Sequence, residues 1–371
     1  MTIARFNYVT PVRFGFGALS VLADELGHLG VGRFLLVTDP GIVEAGLVER
    51  VTAVVKPAAI FDQTPSNPTE AAAIKALAAF REAECDGVVA LGGGSSIDLA
   101  KAVALLATHS GVLADYVIGG GSADAIGPTS PIIAVPTTAG TGAEVGRAAS
   151  LTLRNGTKAA CVNAHLIPRC AICDPDLTLS LPPMLTASTG IDVLCHGIEA
   201  YFSSTFNPPA DAIALDVVSR SARSLPEAVR NGNNRDARSE MLLAAVMGGM
   251  VFQKGLGAIH ALTHPLGALG YPHGTLNAIV LPHVLAINEK LAPARATELK
   301  SALDNVSGKS LSVWTNDFIA ALGLPQRLSA LGMTRDGFSD FAEKAEREHL
   351  NKTNPRPLTA AEFLTILEAA Y

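Results

Sequence analysis

The stretch Gly87-Val-Val-Ala-Leu-Gly92-Gly-Gly-Ser-Ser-Ile97-Asp-Leu-Ala-Lys101 decides the fold. An apolar run of strand length (87–91) meets three glycines, and an Ala/Leu-rich helical pattern follows from Ile97. Glycines between a strand and a helix let backbone amides approach an anion, and the helix N-terminus adds a favourable dipole. Ser95 with Asp98 three residues on also has the form of a capping box, but three consecutive glycines exceed what a cap needs. We therefore read Gly92, Gly93, Gly94 and Ser95 as a phosphate cradle. It is not the Gly-x-Gly-x-x-Gly fingerprint, because the acidic strand-end residue, Asp39, precedes the glycines instead of following them by about 20 residues.

Outward from that stretch the pattern repeats. Strand-length apolar runs at 12–16, 34–38, 59–61 and 132–135 alternate with helical patterns at 18–29, 42–55, 68–84 and 97–108. Such alternation argues a parallel sheet with crossover helices. Asn155-Gly156 between the apolar runs 149–153 and Lys158–Val162 signals a hairpin. After Pro182-Pro183 strands become scarce and helical patterns dominate, at 185–202, 210–228, 235–251, 276–288, 311–322 and 360–370. The expected architecture is an α/β dinucleotide-binding domain over 1–181 and an all-helical domain over 182–371, with the active site in the cleft between them.

Composition narrows the function. The 371 residues are 49% hydrophobic, 17% charged and 5% aromatic, with a net charge of −6. That excludes a disordered chain and gives no electrostatic footprint for nucleic acid or an anionic membrane. No apolar run approaches the roughly 20 residues of a membrane span, and the N-terminus lacks a signal peptide's apolar block. The five cysteines (85, 161, 170, 173 and 195) suggest no disulfide framework, and the Cys-x-x-Cys at Cys170 and Cys173 falls in a strand-like run with no second pair. A cytoplasmic protein is expected.

Asp39 ends the run 34–38, where a carboxylate can accept from both hydroxyls of an adenosine ribose and repel a 2′-phosphate. The segment Pro136-Thr-Thr-Ala-Gly-Thr-Gly-Ala-Glu144 again follows a strand, and its hydroxyls and small residues suit close approach of a ligand. In the helical half, Asp192 and His196 stand at i, i+4, so both project from one face. His260 and His264 repeat that spacing, and His273 follows in Tyr-Pro-His-Gly274. Four of nine histidines thus lie in apolar, Gly-rich surroundings, where an unpaired imidazole is costly. A carboxylate with three imidazoles fits a divalent metal of the Fe²⁺/Zn²⁺ kind. Periodicity groups His260 and His264 as equal ligands and does not say which three histidines bind.

The run GGGSS-I-D-x-A-K, PTTAGTGAE, DPDLTLSLPP, TGIDVLCHGIEAY and GLGAIHALTHPLGALGYPHG, in this order over nearly the whole chain, resemble the iron-dependent (group III) alcohol dehydrogenases. FDQTPSNPTE, FNPPADAIALD and KTNPRP resemble the 4-hydroxybutyrate dehydrogenases within that family. The resemblance implies a dehydroquinate-synthase-like architecture. It also implies metal ligation by Asp192, His196, His260 and His273, with His264 beside the nicotinamide as the residue relaying the alcohol proton. Gly92, Gly93, Gly94 and Ser95 would hold the pyrophosphate, with Asp98 in the same run. Thr137, Thr138 and Thr141 would contact the cofactor, Lys158 would reach its ribose, and Asp39 would select NAD.

The expected reaction is metal-dependent hydride transfer between NAD and a primary alcohol/aldehyde pair, with Fe²⁺ as the metal and Zn²⁺ as the alternative. The pair the resemblance points to is 4-hydroxybutyrate/succinate semialdehyde; Arg147 and Lys254 are the candidate cations for its carboxylate. Leu269-Gly-Tyr-Pro-His273 is shorter than the loop expected in that subgroup, which leaves another small alcohol, lactaldehyde/propanediol, as the alternative. A dehydroquinate-synthase-like lyase would need a basic phosphate cluster and a glutamate ligand where Asp192 stands, and a non-catalytic nucleotide sensor would have no use for the histidines. A homodimer is the expected assembly.

Overall fold

The computed structural model describes residues 10–118, 122–303, 306 and 308–371, so residues 1–9, on which part of the N-terminal reading falls, lie outside the described residues. Two units emerge: residues 10–138 with Gly142–Ser180, and Leu181–Tyr371 with Ala139–Thr141. The short segment Ala139–Thr141, counted above with the first domain, therefore groups with the helical one.

In the first unit β1 (Val12–Phe14), α1 (Leu22–His28), β2 (Phe34–Val37), α2 (Pro40–Glu44), α3 (Leu47–Val54), β3 (Ala59–Phe61), α4 (Glu70–Glu82), β4 (Gly87–Gly92), α5 (Gly94–Thr108) and β5 (Ile132–Pro136) follow one another. The hairpin β6 (Ala148–Thr152) and β7 (Lys158–Val162) and the strand β8 (Cys170–Cys173) complete it. The main sheet has the order β1-β8-β5-β4-β2-β3 and is parallel throughout. Its central strands are buried on both faces, as their unbroken apolar runs require. Leu35, Val37, Val88, Ala90, Ile132 and Ala134 pack with residues of α4 and α5 on one face. Phe34, Leu36, Val89, Leu91, Ile133 and Val135 pack with residues of α1 and α3 on the other. Period-two alternation thus feeds two cores from one sheet.

The helical unit contains α6 (Pro183–Phe202), α7 (Pro208–Arg230), α8 (Arg235–Val251), α9 (Ala258–Gly267), α10 (His273–Leu291), α11 (Pro293–Ser301), α12 (Leu311–Ala321), α13 (Phe338–Arg347) and α14 (Ala360–Ala370). α6 is buried along nearly its whole length and packs on α7, α8 and α10. Among the described residues no single helix is long and apolar enough to cross a membrane.

Two local expectations change, and the alternative set aside at Ser95 and Asp98 is absent. The helical pattern at 42–55 breaks into α2 and α3, where Ala45 and Gly46 turn the chain. α9, α11 and α13 are helices that the apolar pattern did not reveal. The capping box at Ser95 and Asp98 does not form, because α5 already starts at Gly94 with Gly93 at its N-cap. The Ser95 hydroxyl instead donates to the Ser66 carbonyl at 2.5 Å, and the Asp98 carboxylate accepts the Ser150 N–H of β6 at 3.0 Å.

Candidate metal centre and cofactor-binding segments

Three strand ends of the α/β unit converge. Asp39, just beyond β2, caps α2 by accepting the Ile42 N–H at 3.1 Å. Its other oxygen accepts the Ser96 hydroxyl at 3.2 Å, which ties the end of β2 to the start of α5. Gly92 ends β4 at φ +148°, and a Cβ there would stand 2.6 Å from Ser96 Oγ and 3.3 Å from Asp39 Oδ2. Only glycine fits that crossing. Gly93 lies against the Thr138 side chain, and the Thr137 N–H donates to the Gly92 carbonyl at 3.0 Å. The buried Thr137 hydroxyl finds no partner among the described residues. Helix N-terminus, close backbone and an unsatisfied hydroxyl at adjacent strand ends suit a dinucleotide phosphate group. Burial pushes the Asp98 carboxyl up, and Lys101, the Ser150 N–H and Lys158, which opens β7, offset this only in part. Arg147 is exposed and belongs to this unit.

The helical unit holds the cluster. α6 presents Asp192 and His196 one turn apart, α9 presents His260, and α10 begins with His273. The Nε2 atoms of His196, His260 and His273 lie 3.3, 3.3 and 3.7 Å from a single oxygen, Asp192 Oδ1. Ligands about 2.0–2.2 Å from a tetrahedral metal stand about 3.3–3.6 Å from one another, so this donor set has the spacing of a first coordination sphere. Asp192, His260 and His273 bring their ligand atoms within 4.8 Å of one another. His196 joins through Asp192 and stacks on His260, with ring centroids 4.8 Å apart. Asp192, His196 and His260 are buried, whereas the His273 side chain is 27% exposed and leaves one open side.

Close packing sets the entry of α10. A Cβ on Gly274 would lie 2.0 Å from the Ser188 carbonyl oxygen of α6, so glycine alone lets His273 approach Asp192.

Electrostatics follow from the crowding. Burial works against the Asp192 charge, yet His196, His273 and His260 together hold its carboxyl far below the usual range. Burial pushes His196 down to about 4. Burial also opposes charge on His260, but Glu199 and Asp192 outweigh it and hold that ring at about 9.

Two residues absent from the sequence reading support the ligands. Asn277, one turn beyond His273, donates Nδ2–H to Asp192 Oδ1 at 2.7 Å, and its carbonyl accepts the Thr263 hydroxyl at 2.6 Å. Glu199, one turn beyond His196, meets His260 Nδ1 at 2.5 Å and accepts the Ile259 N–H at 2.6 Å. Extending the i, i+4 and i, i+7 face from Asp192 and His273 finds both.

His264 lies on the partly exposed side, its ring 5.9 Å from that of His260 and its Nδ1 3.5 Å from Glu348. Burial raises the Glu348 carboxyl, but His264 and His349 override it and hold it at about 2.

Lys254 is not a substrate cation. Its side chain is fully buried, and Nζ donates to the carbonyls of Ala200 and Tyr201 at 2.6 and 3.1 Å and meets Asp211 at 2.5 Å. A cation on the last carbonyls of α6 complements that helix's negative end, and no donor is left over.

Comparison with known proteins agrees with this geometry. Residues 10–175 match the iron-containing alcohol dehydrogenase family, and residues 186–371 match the C-terminal part of the Fe-containing alcohol dehydrogenase family. The chain is 47% identical over 380 residues to a 4-hydroxybutyrate dehydrogenase of Cupriavidus necator, covering 99% of each protein. It is 36% identical to a 1,3-propanediol dehydrogenase of Klebsiella pneumoniae, covering all of both. The structure of a sulfoacetaldehyde reductase from Bifidobacterium kashiwanohense in complex with NAD+ superposes with a TM-score of 0.90 at 30% identity, covering 100% of this chain and 99% of that one.

Proposed function

The chain belongs to the iron-containing alcohol dehydrogenase family, and on that premise we propose that it interconverts 4-hydroxybutyrate and succinate semialdehyde with NAD. The observation that carries the reaction class is the convergence of three imidazole nitrogens on Asp192 Oδ1. Asp192, His196, His260 and His273 would hold the metal, and Gly92, Gly93, Gly94, Ser95, Thr137, Thr138 and Thr141 would hold the cofactor. A bound Fe²⁺ or Zn²⁺ supplies Lewis acidity toward the substrate oxygen, and NAD supplies the hydride acceptor.

The chain's own residues do the rest. Asp192 stays ionised and keeps the ligand rings in place. His264 takes the alcohol proton on an imidazole nitrogen, where the Glu348 carboxylate at 3.5 Å meets the arriving charge. Asp39 accepts from the ribose hydroxyls and faces a 2′-phosphate as a like charge. With Lys254 committed to α6, Arg147 remains for the substrate's carboxylate.

The test is a steady-state comparison on metal-loaded protein, following NADH absorbance. We expect higher kcat/KM for succinate semialdehyde than for butyraldehyde, a preference for NADH over NADPH, and loss of the substrate preference in Arg147→Ala. The 36% identity to a 1,3-propanediol dehydrogenase supports a neutral diol as the second reading. A better rate with butyraldehyde or lactaldehyde would select it.

A further inference from the structure

The start of α9 lacks the usual means of satisfying its backbone. Its N-cap is Gly257, which offers no side chain, and the free N–H groups of the first turn are buried. Two distant residues fill the gap. Asn354 Oδ1 accepts the Ala258 N–H at 3.3 Å, and Glu199 Oε1, reaching across from α6, accepts the Ile259 N–H at 2.6 Å. The other Glu199 oxygen, Oε2, lies 2.5 Å from Nδ1 of the next residue, His260. The Glu199 side chain is 1% exposed, so water does not substitute for either contact.

Each carboxylate oxygen therefore faces a nitrogen. The Ile259 amide is a donor and nothing else. An ionised carboxylate accepts at both oxygens and donates at neither, so His260 Nδ1 must carry a hydrogen. In the neutral ring the bare lone pair then belongs to Nε2, the atom that stands 3.3 Å from Asp192 Oδ1. Resting on the reading that Asp192, His196, His260 and His273 hold a divalent metal, we propose that Glu199 is a positioning residue that fixes the tautomer of His260 while capping the helix that carries it.

Substituting Gln separates the two tasks. Gln keeps the volume and one acceptor oxygen but turns the other position into an N–H₂ donor. The Ile259 N–H claims the oxygen, because an amide hydrogen facing it would set donor against donor. The N–H₂ group then faces His260 Nδ1, drives the ring hydrogen to Nε2 and blocks the ligand atom. Asn354→Ala is the comparator: it weakens the same helix start without touching His260.

The experiment uses full-length protein stripped of metal by a chelator and titrated with Zn²⁺ against a chromophoric competitor and with Co²⁺ by its visible absorption. Glu199→Gln should lose about 10–100-fold in Zn²⁺ affinity, the range for an outer partner of a ligating histidine, and should alter the Co²⁺ spectrum. Asn354→Ala should lower the thermal midpoint and keep the wild-type Co²⁺ spectrum. Equal losses of affinity in the two variants, or a wild-type spectrum in Glu199→Gln, overturn the proposal. Histidine ¹⁵N spectra of Zn²⁺-loaded wild type check the tautomer without a variant: the His260 ring should carry its hydrogen on Nδ1, and a hydrogen on its Nε2 overturns the proposal. A wild-type chain that takes up neither metal overturns the metal-centre reading and this proposal together.

Discussion

Glu144 carries a cost that pH can switch. It is buried, and its Oε1 has no partner among the described residues. Burial pushes its carboxyl up from 4.5 to about 7, and a backbone hydrogen bond and Lys101 offset this only in part. Between those two values the folded chain holds a proton that the unfolded chain releases. Stability from this group is therefore full below about pH 4.5 and falls as pH rises through about 7, by roughly 3 kcal/mol at most. Glu144→Gln should match wild type in thermal unfolding at pH 4.5 and exceed it at pH 8; equal midpoints at pH 8 would refute the assignment. The histidines divide by another measurement. His273→Ala should lose bound metal and activity together, while His264→Ala should keep stoichiometric metal by elemental analysis and lose about 10²–10⁴-fold in kcat. The i, i+4 spacing of Asp192 and His196 was legible because both side chains share one helical face. Glu199 and Asn277 share faces with Asp192 and His273, but spacing alone does not single them out, because a lone Glu or Asn on a helix is ordinarily a solvated residue and their burial is set by other helices.

At the scale of elements, the approach of α10 to α6 is the constraint that most directly shapes the cluster. Gly274→Ala would force Cβ into the Ser188 carbonyl, backbone against backbone, with no flexible side chain to yield. We expect a loss of about 1–3 kcal/mol or more in unfolding titrations, accompanied by weaker metal binding as His273 withdraws from Asp192. The same scale shows where sequence pattern works. The central strands were legible because burial on both faces leaves continuous apolar runs, and β6 and β7 because Asn155-Gly156 turns between them. α9 was hidden: it follows Gly255 and Gly257 and contains Pro265, all signals against a helix, which tertiary capping by Glu199 and Asn354 overrides. α13 was hidden by its charges, since only Phe338, Ala342 and Ala345 are buried along it.

For the whole molecule, a metal that binds the folded chain and not the unfolded one stabilises by mass action. At 100 times its Kd the gain is about 2.7 kcal/mol, so calorimetry with and without chelator should show a raised midpoint in wild type and none in His273→Ala. The sheet has a consequence of a different kind, for the order of assembly. Among the described residues β1 finds its only hydrogen-bonded neighbour in β8, with Val12 paired to Ala171. The same closure is pinned by Asp174, whose carboxylate accepts the N–H groups of Gly17 and Leu19. At about 5–20 residues per second a ribosome needs roughly 8–30 s to make the chain between those strands. Through that interval β8 is not there for β1 to pair with, and Phe14 and Phe16 are 38% and 43% exposed even in the finished fold. Docking of β1 on β8 is therefore a strongly non-local step of this unit's folding, and it waits until the far end of the unit has been made.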